Sequence, residues 1–325
     1  MAIRSAITGL VGLALAAVIA AAFLPAKLVQ AAGYPNGPIK WIIPYPTGGA
    51  YDALSRGLAP VLSKNFGARV LVNIIPGPDG YNQIINAKPD GQTIGMSEPL
   101  SLFTTAMLTK PNYNVDDLVW LGRIDASVSV IVASKKSGIT SFDQLKTHKG
   151  PVRGGAFGVT TPIIQEILLA HAVGFELAPV NFRTIGELIF GTLRGDVDIG
   201  LLGITPWLKH IQAGNVVPIL IWDDHRDPRF PNVPCLKDIG QENLMVFLNH
   251  RGIVVPPKLS PDVSKKIVDV FQTTISGGEG KAFLEKAKFE TNQMWGKEFV
   301  DIIAGIKTAL KTAEPTIRQL ATTTK

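Results

Sequence analysis

The residues of this chain that could do chemistry are grouped in short glycine-rich loops, each between a strand-like run and a helix-like run. The first is Thr47-Gly48-Gly49-Ala50-Tyr51-Asp52. Its two glycines permit positive φ angles and let a ligand approach the main chain closely. The helix that follows offers unpaired N–H donors, which favour a carboxylate or another anion. A second interpretation stays open, in which Asp52 only reaches back to cap its own helix; both can hold.

Two further loops share this setting. Gly77-Pro78-Asp79-Gly80 follows the next strand-like run, and Gly158-Val159-Thr160-Thr161 opens a later helix, with Thr161 as its cap and Pro162 at its first position. Taken alone, each is an ordinary turn or helix start. Because all three loops connect the end of a strand to the start of a helix, together they predict one anion site built from several helix starts.

The sequence contains no arrangement typical of catalysis or of a metal site. It has no G-x-S-x-G elbow, no P-loop and no G-x-G-x-x-G after the first strand. Its single cysteine, Cys235, excludes a disulfide within the chain and a cysteine-built metal site. We interpret Asp223-Asp224-His225-Arg226-Asp227 as a solvated loop, and Arg183 with Glu187 as a pair on a helix surface. We therefore expect no cofactor, no metal ion and no enzymatic activity.

Composition and charge are typical of an exported, folded protein. Of the 325 residues, 46% are hydrophobic and 18% charged, and the length favours two domains. Residues 1–32 have the form of a signal peptide, with Arg4, an apolar run over 6–24, and cleavage near Ala31 or Ala32. A single membrane anchor is the alternative. The dispersed lysines and arginines argue against a nucleic-acid partner, so we expect a soluble protein outside the cytoplasm.

Short β-branched runs alternate with amphipathic stretches after Pro38, which predicts an α/β protein. The strand–helix–strand order implies parallel strands, and the middle of the chain repeats it. We therefore expect two lobes, each a mainly parallel sheet flanked by helices, with a helical C-terminal segment and a ligand cleft between the lobes. Lobe 1 is predicted to comprise 33–132 and 252–325, and lobe 2 to comprise 133–251.

A set of short motifs follows one another along the chain: Tyr34-Pro35, Pro38-Ile39, Ile43-Pro44-Tyr45-Pro46-Thr47-Gly48-Gly49-Ala50-Tyr51-Asp52, Pro76-Gly77-Pro78-Asp79-Gly80, Lys88-Pro89-Asp90-Gly91-Gln92-Thr93, Gly195-Asp196-Val197-Asp198, Pro206 with His210-Ile211-Gln212-Ala213-Gly214, and Arg226-Asp227-Pro228-Arg229-Phe230-Pro231-Asn232-Val233-Pro234. In this order they resemble the motifs of the tripartite tricarboxylate transporter receptors, the Bug family. The ordered set spans nearly all of the chain after residue 32.

The resemblance implies a type II-like, two-lobed periplasmic-binding-protein fold. It further implies a monomeric, non-catalytic receptor in the periplasm that closes by a hinge motion over a small organic carboxylate and delivers it to inner-membrane transporter subunits. Carried over by position, the family's ligand-binding residues correspond to Tyr45, Thr47, Gly48, Gly49, Asp52, Gly77, Pro78, Asp79, Gly80, Gly158, Thr160, Thr161, Ile204 and Thr205.

One departure affects the ligand class. Where the family has small residues, this chain has Pro78-Asp79-Gly80, which brings a bulkier, negative side chain to a loop expected to meet an anion. This argues against assuming citrate. Two other functions stay open at this stage: an exported hydrolase or lyase on a similar scaffold, and a sensory receptor that presents its ligand to a membrane kinase.

Overall fold

The structure is a computed structural model that describes residues 33–156, 160–290 and 292–323. The predicted signal peptide, residues 1–32, and Gly158 lie outside the described residues. Within the described part of the chain, no helix has both the length and the apolar character that crossing a bilayer requires.

Six strands form the first sheet, in the order β11-β4-β10-β3-β1-β2. Their bounds are β1 Ile39–Ile43, β2 Val70–Ile74, β3 Thr93–Ser97, β4 Val119–Ser127, β10 Asn249–Val255 and β11 Met294–Trp295. Strands β2, β1 and β3 are parallel, whereas β10 runs antiparallel to both β3 and β4. The parallel part follows from the strand–helix–strand order that the sequence predicts.

Five strands form the second sheet, in the order β7-β6-β8-β5-β9. Their bounds are β5 Ser129–Ser134, β6 Val152–Ala156, β7 Leu177–Asn181, β8 Ile199–Gly203 and β9 Val216–Trp222. Here β6 pairs in parallel with β7 and β8, and β5 pairs antiparallel with β8 and β9. Both sheets are therefore mixed: a parallel core is joined to strands of opposite direction, which the alternation of strands and helices does not predict.

Ten α-helices cover the two sheets within the described residues. They are α1 Ala50–Phe66, α2 Pro78–Ile85, α3 Pro99–Thr109, α4 Phe142–Lys146, α5 Thr161–Val173, α6 Ile185–Arg194, α7 Ile204–Gln212, α8 Pro261–Ser276, α9 Gly278–Ala287 and α10 Lys297–Thr323. Helix α5 has Thr160 rather than the predicted Thr161 at its cap position.

The chain passes between the sheets at two places. The first is Val128, between β4 and β5, and the second is the segment that leads from β9 to β10. The boundaries expected from the sequence, 132/133 and 251/252, fall inside β5 and β10. Because a strand is not divided between two sheets, we propose that the lobes meet at Val128 and just before Asn249.

A single apolar cluster joins the two halves on one side. It contains Leu100 and Phe103 from α3, Ile163 and Ile167 from α5, and Ile306 from α10, all buried. The C-terminal helix therefore packs on helices that belong to different sheets. Such burial of apolar surface ties the halves together on this side of the molecule.

Candidate functional site

A cavity of about 750 Å³ lies between the two sheets. Its wall includes Tyr45 just after β1, Glu98 just after β3, Ser127 at the end of β4 and Gly203 at the end of β8. These are carboxyl ends of strands from both sheets. In α/β folds this edge collects ligands, because the loops and helix starts that follow the strands are exposed there.

Three helices begin at the cavity wall, and within the described residues none of their N-cap residues, Gly49, Thr160 and Gly203, makes a capping hydrogen bond with a side chain. Helix α1 contributes Ala50 and Tyr51, α5 contributes Thr161, and α7 contributes Ile204 and Thr205 to the wall. The first N–H groups of a helix have no acceptor within the helix, and the helix dipole makes this end partly positive. The cavity is therefore a place where main-chain donors from both halves can meet one anion.

A fourth helix start, that of α3, is occupied by the chain itself. Glu98 is buried, and its carboxylate accepts hydrogen bonds from the N–H groups of Leu100, at 3.0 Å, and Ser101, at 2.6 Å. The Thr161 hydroxyl donates to the same carboxylate at 2.9 Å. Burial raises the pKa of Glu98 to about 7, although these donors oppose the shift. Glu98 thus links the first half of the molecule to the start of α5 in the second half.

Two tyrosines contribute stacked aromatic rings to the wall. The rings of Tyr45 and Tyr51 stack with centroids 3.8 Å apart. The Tyr45 hydroxyl accepts from the Glu98 N–H at 2.7 Å, and the Tyr51 hydroxyl donates to Asn249 at 3.3 Å. These bonds fix both rings, so the wall is preformed at this position. Two other large aromatic side chains, Trp207 and Tyr81, are buried in the cores.

An ion pair on neighbouring strands forms part of the cavity floor. Arg251 of β10 stands opposite Asp125 of β4 in the sheet, and its Nη1 donates to Asp125 at 2.6 Å. Both side chains are buried. The guanidinium also lies over the rings of Tyr51 and Phe289, 5.4 Å from each centroid, at cation–π distance. Burial raises the pKa of Asp125, and the charge of Arg251 opposes this shift.

Glu290 brings a further carboxyl group to the wall, next to the passage between the sheets. It accepts from the N–H of Val128 at 3.3 Å. Its side chain is largely exposed, but partial desolvation at the wall raises its pKa, and the nearby carboxylates of Asp223 and Asp125 add to the effect, whereas the bond from Val128 opposes it. Acidic groups are therefore close enough to one another here to repel.

Five of the residues predicted for the site lie on the cavity wall: Tyr45, Thr160, Thr161, Ile204 and Thr205. Among the described residues, the others do not form part of this wall. The first loop folds on itself instead: the Gly48 N–H donates to the Asp52 carboxylate at 2.8 Å, and this bond lowers the pKa of Asp52. Thr47 and Gly49 belong to the same turn, and only Ala50 and Tyr51 beyond it reach the cavity.

The second predicted loop, Gly77-Pro78-Asp79-Gly80, serves the packing of the first sheet. Gly77 has a φ of +71° and donates its N–H to the carbonyl of Pro44 at 3.1 Å. A Cβ on Gly80 would stand 2.2 Å from the carbonyl oxygen of Ile75, so no side chain fits there. These contacts explain the glycines without any ligand.

Sequence reasoning missed Glu98, Asp125, Asn249, Arg251 and Glu290. A signal for Glu98 was present, because Glu98-Pro99 after a strand is the same strand-to-helix pattern used for the other loops. For Asp125 and Arg251 there was none, since their pairing depends on the register of two strands far apart in the sequence.

The loop at 223–227, which follows β9, is only partly exposed to solvent, whereas the sequence predicted a solvated loop. Asp224 and His225 are exposed, but Asp223 is buried. The three residues bring oxygen and nitrogen atoms within 4.8 Å of one another, and His225 already bonds Asp224 at 2.6 Å. The predicted contact between Arg183 and Glu187 involves the main chain of Arg183, whose N–H donates to the Glu187 carboxylate at 2.8 Å.

Known proteins resemble this chain in sequence. A family model described as the tripartite tricarboxylate transporter family receptor matches residues 54–320. A UPF0065 protein of Cupriavidus necator is 26% identical over 302 residues, covering 89% of each chain. Protein BugT of Bordetella pertussis is 27% identical over 224 residues, covering 65% of this chain and 68% of its own.

Solved structures share the fold. A TctC solute-binding protein from Polaromonas superposes with a TM-score of 0.76 at 18% identity, covering 87% of this chain and 99% of its own. MatC from Rhodopseudomonas palustris, solved with bound malate, gives 0.61 at 16% identity, with coverage of 89% and 100%. A second protein of that organism, solved with adipate, gives 0.66 at 16% identity, with coverage of 86% and 97%. The expected two-lobed periplasmic-binding-protein fold is thereby confirmed.

Proposed function

The chain belongs to the tripartite tricarboxylate transporter receptor family, and on that premise we propose that it is a periplasmic receptor for a small organic carboxylate. It would be exported, release its signal peptide, and act as a monomer that hands the ligand to inner-membrane transporter subunits. The bound malate and adipate of two structural neighbours support this ligand class.

The observation that carries the proposal is the convergence on one cavity of three helix starts whose N-cap residues make no side-chain capping bond within the described part of the chain. A carboxylate placed there would accept main-chain hydrogen bonds from α1 in the first half and from α5 and α7 in the second. Hydrogen bonds to an ionised acceptor are among the stronger ones in proteins. One carboxylate bound by both halves would therefore stabilise the closed conformation. A receptor that closes on its ligand requires such a preference for the closed state.

The residues that we propose to contact the ligand are those whose atoms form the wall. They are Tyr45, Ala50, Tyr51, Thr160, Thr161, Ile204 and Thr205. Thr47, Gly48, Gly49 and Asp52 would act indirectly, by holding the turn that presents Ala50 and Tyr51. For the loop at 77–80 we propose the same kind of supporting role, beneath the wall.

Glu98 is the one observation that favours the second candidate, an exported enzyme. A buried carboxyl with a pKa of about 7 in a cleft is typical of a general acid or base. However, both of its oxygens already bond the start of α3 and Thr161. A helix cap explains this geometry fully, so we favour a binding function. Quantitative recovery of the unchanged ligand after long incubation would exclude the enzyme.

A thermal-shift panel tests the proposal. The full chain is expressed, and the protein purified from the periplasmic fraction is heated with mono-, di- and tricarboxylates at neutral pH. A ligand present at 100 times its Kd adds about 2.7 kcal/mol to the free energy of unfolding, which gives a clear rise in Tm. A matched panel of uncharged amides of the same acids serves as the control. Absence of any rise throughout the carboxylate panel contradicts the proposed function.

A further inference from the structure

Helix α6 exposes apolar side chains to solvent in the second half of the molecule. Among the described residues, four large apolar side chains are exposed, and two of them, Ile185 and Phe190, belong to this one helix. Phe190 is the most exposed of the four, at 61%. Another face of α6 carries Leu188, which is buried in the apolar cluster over the second sheet. Packing of the helix therefore accounts for Leu188 but not for Phe190, which stays largely in contact with solvent.

Phe190 lines a groove of about 610 Å³ between α6 and α7. Both helices pack on the same face of the second sheet, where Leu188 of α6 and Trp207 of α7 share one apolar cluster. The apolar lining of the groove consists of Ile189 and Phe190 from α6 and Pro206 and Leu208 from α7. An exposed apolar groove between two helices is typical of a surface that receives a segment of another protein.

The charge in this groove is positive. Lys209 lines the groove and is exposed, and within the described residues no acidic side chain lines the groove with it. His210 is the other ionisable residue of the lining, and partial desolvation together with the charge of Lys209 lowers its pKa. The imidazole is therefore uncharged at neutral pH. An occupant with a carboxylate facing Lys209 would be complementary to the groove, whereas a cationic one would be repelled.

The same charge argues against a second copy of this chain as the occupant. In a symmetric dimer each surface patch meets itself, so two grooves would place Lys209 against its own equivalent. A lipid bilayer also fits poorly, because a helix that lies in a bilayer presents its apolar face outward, whereas these apolar side chains line a groove. A protein segment with both apolar and acidic side chains fits the shape and the charge.

Helix α7 is shared between the groove and the ligand cavity. Thr205, Pro206 and Leu208 line both of them, and Ile185 at the start of α6 also lines the cavity. A ligand held at the start of α7 would therefore contact the same helix as an occupant of the groove. Such an occupant is in a position to respond to whether the cavity is filled, which is what the protein that receives the ligand requires.

We propose that the groove between α6 and α7 docks an acidic segment with apolar side chains on the periplasmic face of an inner-membrane transporter subunit. Phe190 would be the aromatic anchor of this interface, and Lys209 would pair with a carboxylate of the partner. The inference rests on the proposed function and makes it more specific, because it assigns the surface through which the receptor meets its transporter.

Photocrosslinking in intact cells tests this inference. In the full chain, the photoreactive residue p-benzoylphenylalanine replaces Phe190 or, as the control, Val300, which is 46% exposed on α10. After irradiation, the crosslinked peptides are identified by mass spectrometry. We expect position 190 to crosslink to a periplasmic segment of a transporter membrane subunit, next to acidic residues, with a yield about tenfold or more above that of position 300.

A charge reversal tests the role of Lys209. With the crosslinker at position 190, Lys209→Glu should reduce the yield about fivefold or more, because it places like charges opposite each other. Lys311→Glu makes the same change on the exposed face of α10 and should leave the yield within about twofold. Neither Phe190 nor Lys209 lines the ligand cavity, so each variant should keep the thermal shift of wild type with a carboxylate, which also shows that it is folded.

Three outcomes overturn the inference. The first is a set of crosslinks from position 190 only to a second copy of the chain, to lipid or to a protein outside the transporter. The second is a yield at position 190 no higher than at position 300. The third is a yield that Lys209→Glu does not alter. All three leave the carboxylate receptor intact if the thermal-shift panel gives a ligand, whereas a silent carboxylate panel contradicts the proposed function whatever the crosslinks show.

Discussion

Glu98 shows how a single residue can have two structural roles at the cavity. Its carboxylate caps α3 and also accepts a hydrogen bond from the Thr161 hydroxyl in the other half of the molecule. A chain carboxylate therefore already occupies one of the four helix starts at the wall. The ligand would occupy the remaining three, so Glu98 illustrates the chemistry that these helix starts accept.

The ionisation of Glu98 makes stability depend on pH. Its pKa rises from 4.5 to about 7 on folding, so the folded state holds the proton more tightly than the unfolded chain. The stabilisation from this group is complete below about pH 4.5 and is lost as the pH rises through about 7. At 1.36 kcal/mol per pKa unit, the effect is at most about 3 kcal/mol.

Comparison with Glu98→Gln isolates this effect. Urea unfolding at pH 5 and pH 8 should show wild type losing up to about 3 kcal/mol more than the variant over this range. His250, whose pKa burial lowers to about 3, has the opposite pH dependence, but it is present in both proteins and cancels. Parallel pH profiles for the two proteins would mean that Glu98 does not titrate in this range.

At the scale of elements, we propose that helix starts determine which ligand the cavity binds, and α7 provides a direct test. Its cap residue, Gly203, lies on the wall with a φ of −52° that any residue can adopt. A Cβ there would have only the carbonyl oxygen of Val128 nearby, at 3.9 Å. A side chain can therefore be added without strain, and an aspartate would cap α7 with its own carboxylate.

Gly203→Asp should stabilise the ligand-free protein by a few tenths of a kcal/mol and weaken carboxylate binding at least tenfold, because the added carboxylate competes for the same N–H groups. Gly203→Ala is the matched control: it adds the Cβ without the charge and should keep affinity within about threefold. Titration calorimetry with any ligand found in the panel measures both. Equal losses for the two variants would show that bulk rather than the helix start matters.

The sequence predicts elements better than their arrangement. Apolar residues at helical spacing predicted α1, and short β-branched runs predicted β1 and β2, because each element is decided by its own neighbours in the chain. The antiparallel strand β10 and the Arg251–Asp125 pair depend on contacts between residues more than a hundred positions apart. Tyr45 lies on the wall, whereas in the turn at 47–49 the Gly48 N–H donates to Asp52. The ligand contacts of these residues stay predictions.

At the scale of the whole molecule, the halves share an apolar cluster that includes residues of α3, α5 and α10. A hinge motion that opens the cavity must leave this cluster largely packed, because exposing it would cost apolar burial at about 25 cal/mol per Å². We therefore expect the motion to centre on the two segments where the chain crosses between the sheets, at Val128 and just before Asn249. The Val128 N–H donates to Glu290, and Asn249 accepts from the Tyr51 hydroxyl.

The crystal structure of the protein with a ligand identified in the panel tests the central claim most directly. The account predicts a carboxylate in the cavity with its oxygens within about 3.2 Å of main-chain nitrogens at the starts of α1, α5 or α7, a normal hydrogen-bond distance. A carboxylate bound only by side chains elsewhere in the cavity, or outside it, would contradict the account.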